Sequence, residues 1–167
     1  MRLIVDKEGS GQQDLFLKID ISPAQVFITD SYYLADFLEV SAEEIKTQAP
    51  QPATCLMARH LLHHWEKQIS SWEPQTSLFL PYDIQDEYIG GFQLTETKRG
   101  IQVHYAYTQD LHGYACTAAE IAQAFAQKKI KLETDQPTWL LSKEQILAGI
   151  QWSKKELGSS HHDFPSE

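Results

Sequence analysis

The clearest periodicity along the chain is an alternation of two between Tyr88 and Thr108. Tyr88, Gly90, Phe92 and Leu94 fall on one side of the first run, with Ile89, Gly91, Gln93 and Thr95 on the other. After Thr97-Lys98-Arg99-Gly100 the alternation resumes, with Ile101, Val103, Tyr105 and Tyr107 set against Gln102, His104, Ala106 and Thr108. Successive side chains of a strand point to opposite faces, so a period of two with one apolar face predicts half-buried strands. The short glycine-containing segment between the runs predicts an antiparallel hairpin over residues 87–95 and 101–108, with Gly100 at a positive φ. The double glycine Gly90-Gly91 inside a strand predicts a bulge or a close backbone approach. Pro81 has no N–H for a ladder, which makes Phe79-Leu80-Pro81 an edge or lead-in segment.

Elsewhere the pattern is shorter. Leu3-Ile4-Val5, Leu15-Phe16-Leu17-Lys18-Ile19 and Gln25-Val26-Phe27-Ile28 are strand candidates, the last two separated by Ser22-Pro23, and Ile130-Lys131-Leu132 is a fourth. Residues 32–38 suit a short helix capped by Asp30 or Ser31. Thr54 to Ile69 carries Leu56, Leu61, Leu62, Trp65 and Ile69 at helical spacing and predicts the longest helix. Capping-box sequences open three further helices: Ser41-Ala42-Glu43-Glu44, ending before Pro50; Thr117-Ala118-Ala119-Glu120; and Ser142-Lys143-Glu144-Gln145, burying Ile146, Ile150 and Trp152. The order of elements lacks a regular βαβ alternation. It predicts an α+β fold, an antiparallel sheet of about four to six strands with two or three helices on it. Residues 1–158 form one domain in this reading, and the polar tail 159–167 is expected to be disordered.

Composition narrows the function classes. At 167 residues with 42% hydrophobic and 22% charged content, the chain can build a core without disulfides or metals. The net charge of −9 disfavours nucleic acid and anionic membrane surfaces, both of which need basic patches, and permits a basic protein partner. Cys55 and Cys116 lie far apart, which suits a reducing compartment. The four-residue apolar start before Asp6 lacks the pattern of a signal peptide, and no apolar run reaches the roughly twenty residues of a membrane span. The expectation is a cytoplasmic protein, monomeric or dimeric.

Candidate chemistry is sparse. His60, His63 and His64 share part of a helix face, but no acidic partner is visible for them, and no metal site or cofactor is expected. Cys116 could meet His104 or His112 as a thiol nucleophile, although cysteine is more often core. No phosphate loop, dinucleotide fingerprint or nucleophile elbow occurs, and no catalytic residue is assigned. Asp83, Asp86 and Glu87 form an acidic knot before the hairpin, flanked by Tyr82 and Tyr88. Carboxylates steer association and amphipathic aromatics anchor contacts, so these five residues are the expected partner-binding surface. For Tyr105 and Tyr107 core packing is at least as fitting as a place in the interface. A small hydrolase using the Asp83/Asp86/Glu87 cluster, or a structural adaptor, is the alternative.

The segments Phe79-Leu80-Pro81-Tyr82-Asp83, Tyr88-Ile89-Gly90-Gly91-Phe92, Tyr105-Ala106-Tyr107 and Gly113-Tyr114 together resemble a motif of small acidic bacterial proteins. Some of those are immunity proteins of polymorphic or contact-dependent toxin systems. The resemblance spans about 35 of the 167 residues, and its motif is structural. It implies a non-enzymatic protein that binds and neutralises one cognate basic toxin domain, often a nuclease, and supplies no transferable site residues.

Overall fold

The computed structural model describes residues 1–47 and 51–158, so the expected tail at 159–167 lies outside the described residues. The fold is α+β, with two antiparallel sheets. Strands β1 (Arg2–Val5), β2 (Leu15–Ile19) and β3 (Gln25–Thr29) form one sheet in that order. Strands β4 (Ser77–Ile84), β5 (Ile89–Thr97), β6 (Gly100–Thr108) and β7 (Glu133–Leu141) form the other. The helices are α1 (Leu34–Phe37), α2 (Ala42–Thr47), α3 (Ala53–Ser70), α4 (Ala118–Ala126) and α5 (Lys143–Gly158), with a 3-10 turn at Gly113–Ala115.

The expected hairpin is present. Ile89 pairs with Thr108 and Thr97 with Gly100, leaving Lys98-Arg99 as the loop, and Gly100 sits at φ +133°. As expected of an edge segment, Phe79-Leu80-Pro81 lies in a strand at the edge of the second sheet, where a missing N–H is tolerated. Two expectations are corrected. The anticipated single sheet is two sheets, because periodicity tells which residues share a face but not which strands pair. Ile130-Lys131-Leu132 precedes a strand that begins at Glu133 and contains Pro137. Register with β6 breaks between His104 and Tyr105, which face Thr138 and Asp135. A bulge on an edge strand is where proline and charge can be accommodated.

The sheets stack crosswise. Phe27 of β3 meets Phe92 of β5, Tyr105 of β6 and Trp139 of β7 at ring distances of 5.0, 5.2 and 5.7 Å. Thr29 at one end of β3 bonds Asp83 of β4, while Pro23 before the other end accepts the Trp139 indole N–H at 2.7 Å. β3 therefore crosses all four strands beneath it. The interior is closed by α3, whose Trp65 donates to the Pro81 carbonyl at 2.8 Å. On the far side, α5 covers β1: the Leu3 N–H donates to Ser153 Oγ at 2.8 Å.

Helix starts follow the sequence in part. The capping boxes at Thr117/Glu120 and Ser142/Gln145 close in both directions. At Ser41 only half forms: Glu44 N–H donates to Ser41 Oγ, but the Glu44 carboxylate turns to His60 instead. Helix α1 starts after Tyr33 with no side-chain cap, so neither Asp30 nor Ser31 plays the expected part. Asp30 instead accepts from the Gln13 N–H at 2.6 Å, and the Ser31 hydroxyl donates to Asp14 at 2.8 Å.

Candidate functional site

The centre of the site is set by a break in strand pairing. Pro81 faces Gly91 and Asp83 faces Gly90, which leaves Tyr82 as an extra residue in β4. The bulge turns Tyr82 and Asp83, neighbours in sequence, toward the same side. Tyr82 passes its hydroxyl into the first sheet, within 2.9 Å of the carbonyls of Leu15 and Phe27. Asp83 stops short of it and gathers four side-chain donors. Its Oδ1 accepts from Thr29 Oγ1 and from Gln85 Nε2 at 2.8 Å. Its Oδ2 accepts from the Tyr88 hydroxyl at 2.8 Å and the Tyr105 hydroxyl at 2.9 Å. Asp83 is left 9% exposed.

Gly90 makes this possible. A Cβ there would lie 2.3 Å from the Tyr105 hydroxyl oxygen, so any side chain would push the phenol off the carboxylate. The double glycine thus marks a close approach, of a tyrosine and, at Gly91, of the Leu80 carbonyl, 2.2 Å from a Cβ placed there.

The site continues outward as alternating phenols and carboxylates. Tyr33 donates to Asp86, and Tyr107 donates to Glu133 at 2.9 Å. The Tyr88 and Tyr107 rings meet edge to face at 6.2 Å. Asp30 lies near enough to Tyr88, and Asp135 near enough to Tyr105, to act on their ionisation. Burial, then the Asp83 charge, holds the Tyr88 and Tyr105 phenols far above the ordinary tyrosine range. The hydrogen bond to Asp86 pushes Tyr33 up to about 12. No lysine or arginine makes an ion pair with Asp30, Asp83, Asp86, Glu133 or Asp135 among the described residues; ion pairs form instead at Asp20, Glu44 and Glu66. Neutral hydroxyls thus orient the carboxylates while leaving their charge unmatched.

Of the five residues expected to form a contact surface, the structure unites Asp83 and Tyr88 in one network and leaves Asp86 and Glu87 exposed. Tyr82 is a correction. It is 1% exposed, and its hydroxyl is taken up by two backbone carbonyls, so it is a core residue. Tyr105 and Tyr107, for which core and interface were both open, are half-buried members of the site. Sequence reasoning missed Thr29, Tyr33, Glu133 and Asp135. Thr29, Glu133 and Asp135 offered only a polar side chain beside a short strand run, and Tyr33 an aromatic one in a short helical segment, signals common to many surfaces.

The other candidates are placed elsewhere. His60, His63 and His64 line a groove of about 400 Å³ with Glu39, Lys67 and Gln68. His60 does have an acidic partner, Glu44, at 2.8 Å, which the sequence spacing hid. His64 approaches Gln68 at 2.9 Å. Among the described residues no three His, Cys, Asp or Glu side chains converge to hold a metal ion. Cys55 and Cys116 are buried free thiols, and burial raises both, Cys116 to about 11, which suits core filling rather than nucleophilic chemistry. His104 hydrogen-bonds Thr138 rather than Cys116. No helix among the described residues is long and apolar enough to cross a membrane. Compared with known proteins, the chain matches no family model, and no curated protein or solved structure is close enough to show a relationship.

Proposed function

We propose that this protein acts by stoichiometric binding of a basic protein partner, in the manner of an immunity protein that neutralises a toxin domain. One observation carries the reading: five carboxylates and four tyrosines gather at one end of the stacked sheets, and among the described residues none of these carboxylates is ion-paired to a lysine or arginine. Such an arrangement is costly to a lone protein, because like charges repel and a half-buried carboxylate loses hydration. A partner bringing lysines and arginines, as a nuclease does for phosphate, would relieve that cost on docking. Tyrosines already fixed by hydrogen bonds would lose little entropy when buried. The net charge of −9 would speed the encounter. Asp83 is engaged by four donors and Asp86 by Tyr33, which suits fixed charge better than proton transfer.

The test is co-expression with the protein encoded beside it, read as growth protection and as recovery of a one-to-one complex. Protection that is lost on replacing Asp86, Glu133 and Asp135 by lysine supports the reading. Neither protection nor a complex with that neighbour would overturn it.

A further inference from the structure

The four sheet edges are not alike. At β1, the Leu3 N–H that points away from β2 is taken by Ser153 of α5. At β4, Pro81 removes a donor and the Trp65 indole occupies its carbonyl. At β7, Glu133, Asp135 and Pro137 break the edge with charge, a bulge and a missing N–H. These are the devices that keep edges from pairing. The β3 edge has none of them. Its sequence, Gln25-Val26-Phe27-Ile28-Thr29, contains no charge and no proline.

Which groups it offers follows from the register. Leu3 turns its N–H away from β2, so the Leu3/Leu17 pair is not hydrogen-bonded, and Leu17 must bond β3 through Phe27. The N–H and C=O groups of Val26 and Ile28 therefore point outward, and no hydrogen bond reaches them among the described residues. Their side chains stand 49% and 55% exposed on the outer face. The C-terminal end of this strand runs into the acid–tyrosine site: Thr29 bonds Asp83, Phe27 stacks on Tyr105 at 5.2 Å, and Asp30 follows directly.

We infer that β3 accepts an antiparallel strand from the partner, an extended segment alternating basic and apolar residues. This rests on the reading above and adds the shape of what is recognised. In antiparallel addition, residues directly opposite share a face. Those opposite Val26 and Ile28 exchange backbone hydrogen bonds and lay apolar side chains on the outer face. The alternate residues face inward, where lysine or arginine meets Asp30, Asp83, Glu133 and Asp135. An ordinary basic helix would satisfy the charge but leave the edge unpaired.

The probe is the end-capped peptide Lys-Val-Lys-Val-Lys-Val-Lys, titrated into the full chain and followed by amide exchange and NMR shifts. Binding should slow exchange at Val26 and Ile28. Methylating the peptide's valine nitrogens should weaken it by at least about tenfold, since two or more hydrogen bonds are lost, while methylating its lysine nitrogens should be tolerated. Val26→Pro, which removes only an outward N–H, should imitate the valine methylation. A helical peptide of the same charge is the control. If it binds as well, or if both methylations act alike, strand addition is overturned and the acidic surface stands. If neither peptide binds, both readings fall.

Discussion

Asp14 and Asp83 are both carboxylates withdrawn from water without an ion-pair partner, yet they are built for different ends. Asp14 is fully buried. It accepts from the backbone N–H groups of Gly11 at 3.0 Å and Ser31 at 2.9 Å, from Ser31 Oγ at 2.8 Å and from Thr54 Oγ1 at 3.5 Å. It ties the loop before β2, the exit from β3 and the first turn of α3 together. Asp83 takes only side-chain donors and sits at the rim. Backbone donors fix a chain path, so the charge of Asp14 is spent on the fold. Side-chain donors hold the Asp83 charge in place beside exposed carboxylates, where a partner can reach the cluster. Burial alone does not tell the two carboxylates apart; the kind of donor does.

The comparison breaks most visibly at Asp14. Asp14→Ala strands two backbone N–H groups and two hydroxyls, and should cost about 3 kcal/mol in denaturant unfolding. Gly90→Ala comes next. Its Cβ would displace the Tyr105 hydroxyl, 2.3 Å away, and the loss should be about 2 kcal/mol, with Asp83 left one donor short. A loss much larger at Gly90 than at Asp14 would reverse the assignment of structural weight.

Alkaline pH sharpens the same contrast. The Tyr88 and Tyr105 phenols are held far above their ordinary value, and Tyr33 is pushed up to about 12. Above about pH 10 the unfolded chain has given up phenolic protons that the folded chain retains. Stability is therefore full below that pH and falls as pH rises through it. Tyrosinate absorbance should lag behind that of free tyrosine until the protein unfolds. Asp83→Asn removes the nearby negative charge and should let Tyr88 and Tyr105 ionise at lower pH, whereas Asp14→Asn should not. The smallest effect is expected for Tyr33→Phe, which should leave thermal melting nearly unchanged, because the Asp86 bond is exposed.

Local features of the fold were legible and distant ones were not. The hairpin, the turn glycine and two capping boxes need only neighbours in sequence; the alternation around Gly100 located the first two and the Ser/Thr-x-x-Glu/Gln spacing the last. The double glycine announced a close approach but could not say that the Tyr105 hydroxyl makes it. Strand β7 was hidden because Pro137, Glu133 and Asp135 argue against a strand unless a bulge on an edge admits them. Tyr82 misled for a related reason. It was grouped with the carboxylates by nearness in sequence, whereas its hydroxyl reaches the carbonyls of Leu15 and Phe27 in the other sheet and its ring is core. Thr29 and Asp83 are 54 residues apart, and only the crossing of the two sheets brings them together.

The most direct test compares two sets of charge reversals in association with the proposed basic partner, once it has been recovered in complex with this chain. Asp86→Lys, Glu133→Lys and Asp135→Lys alter the site. Glu43→Lys, Glu73→Lys and Glu156→Lys change net charge equally at exposed positions elsewhere. Stopped-flow mixing at low salt should show the first set slowing association by about ten- to a hundredfold, with a flatter salt dependence, and the second set having a small effect. Equal slowing by the two sets would mean that net charge alone guides the encounter, and would contradict the claim that the acid–tyrosine end of the sheets is the binding surface.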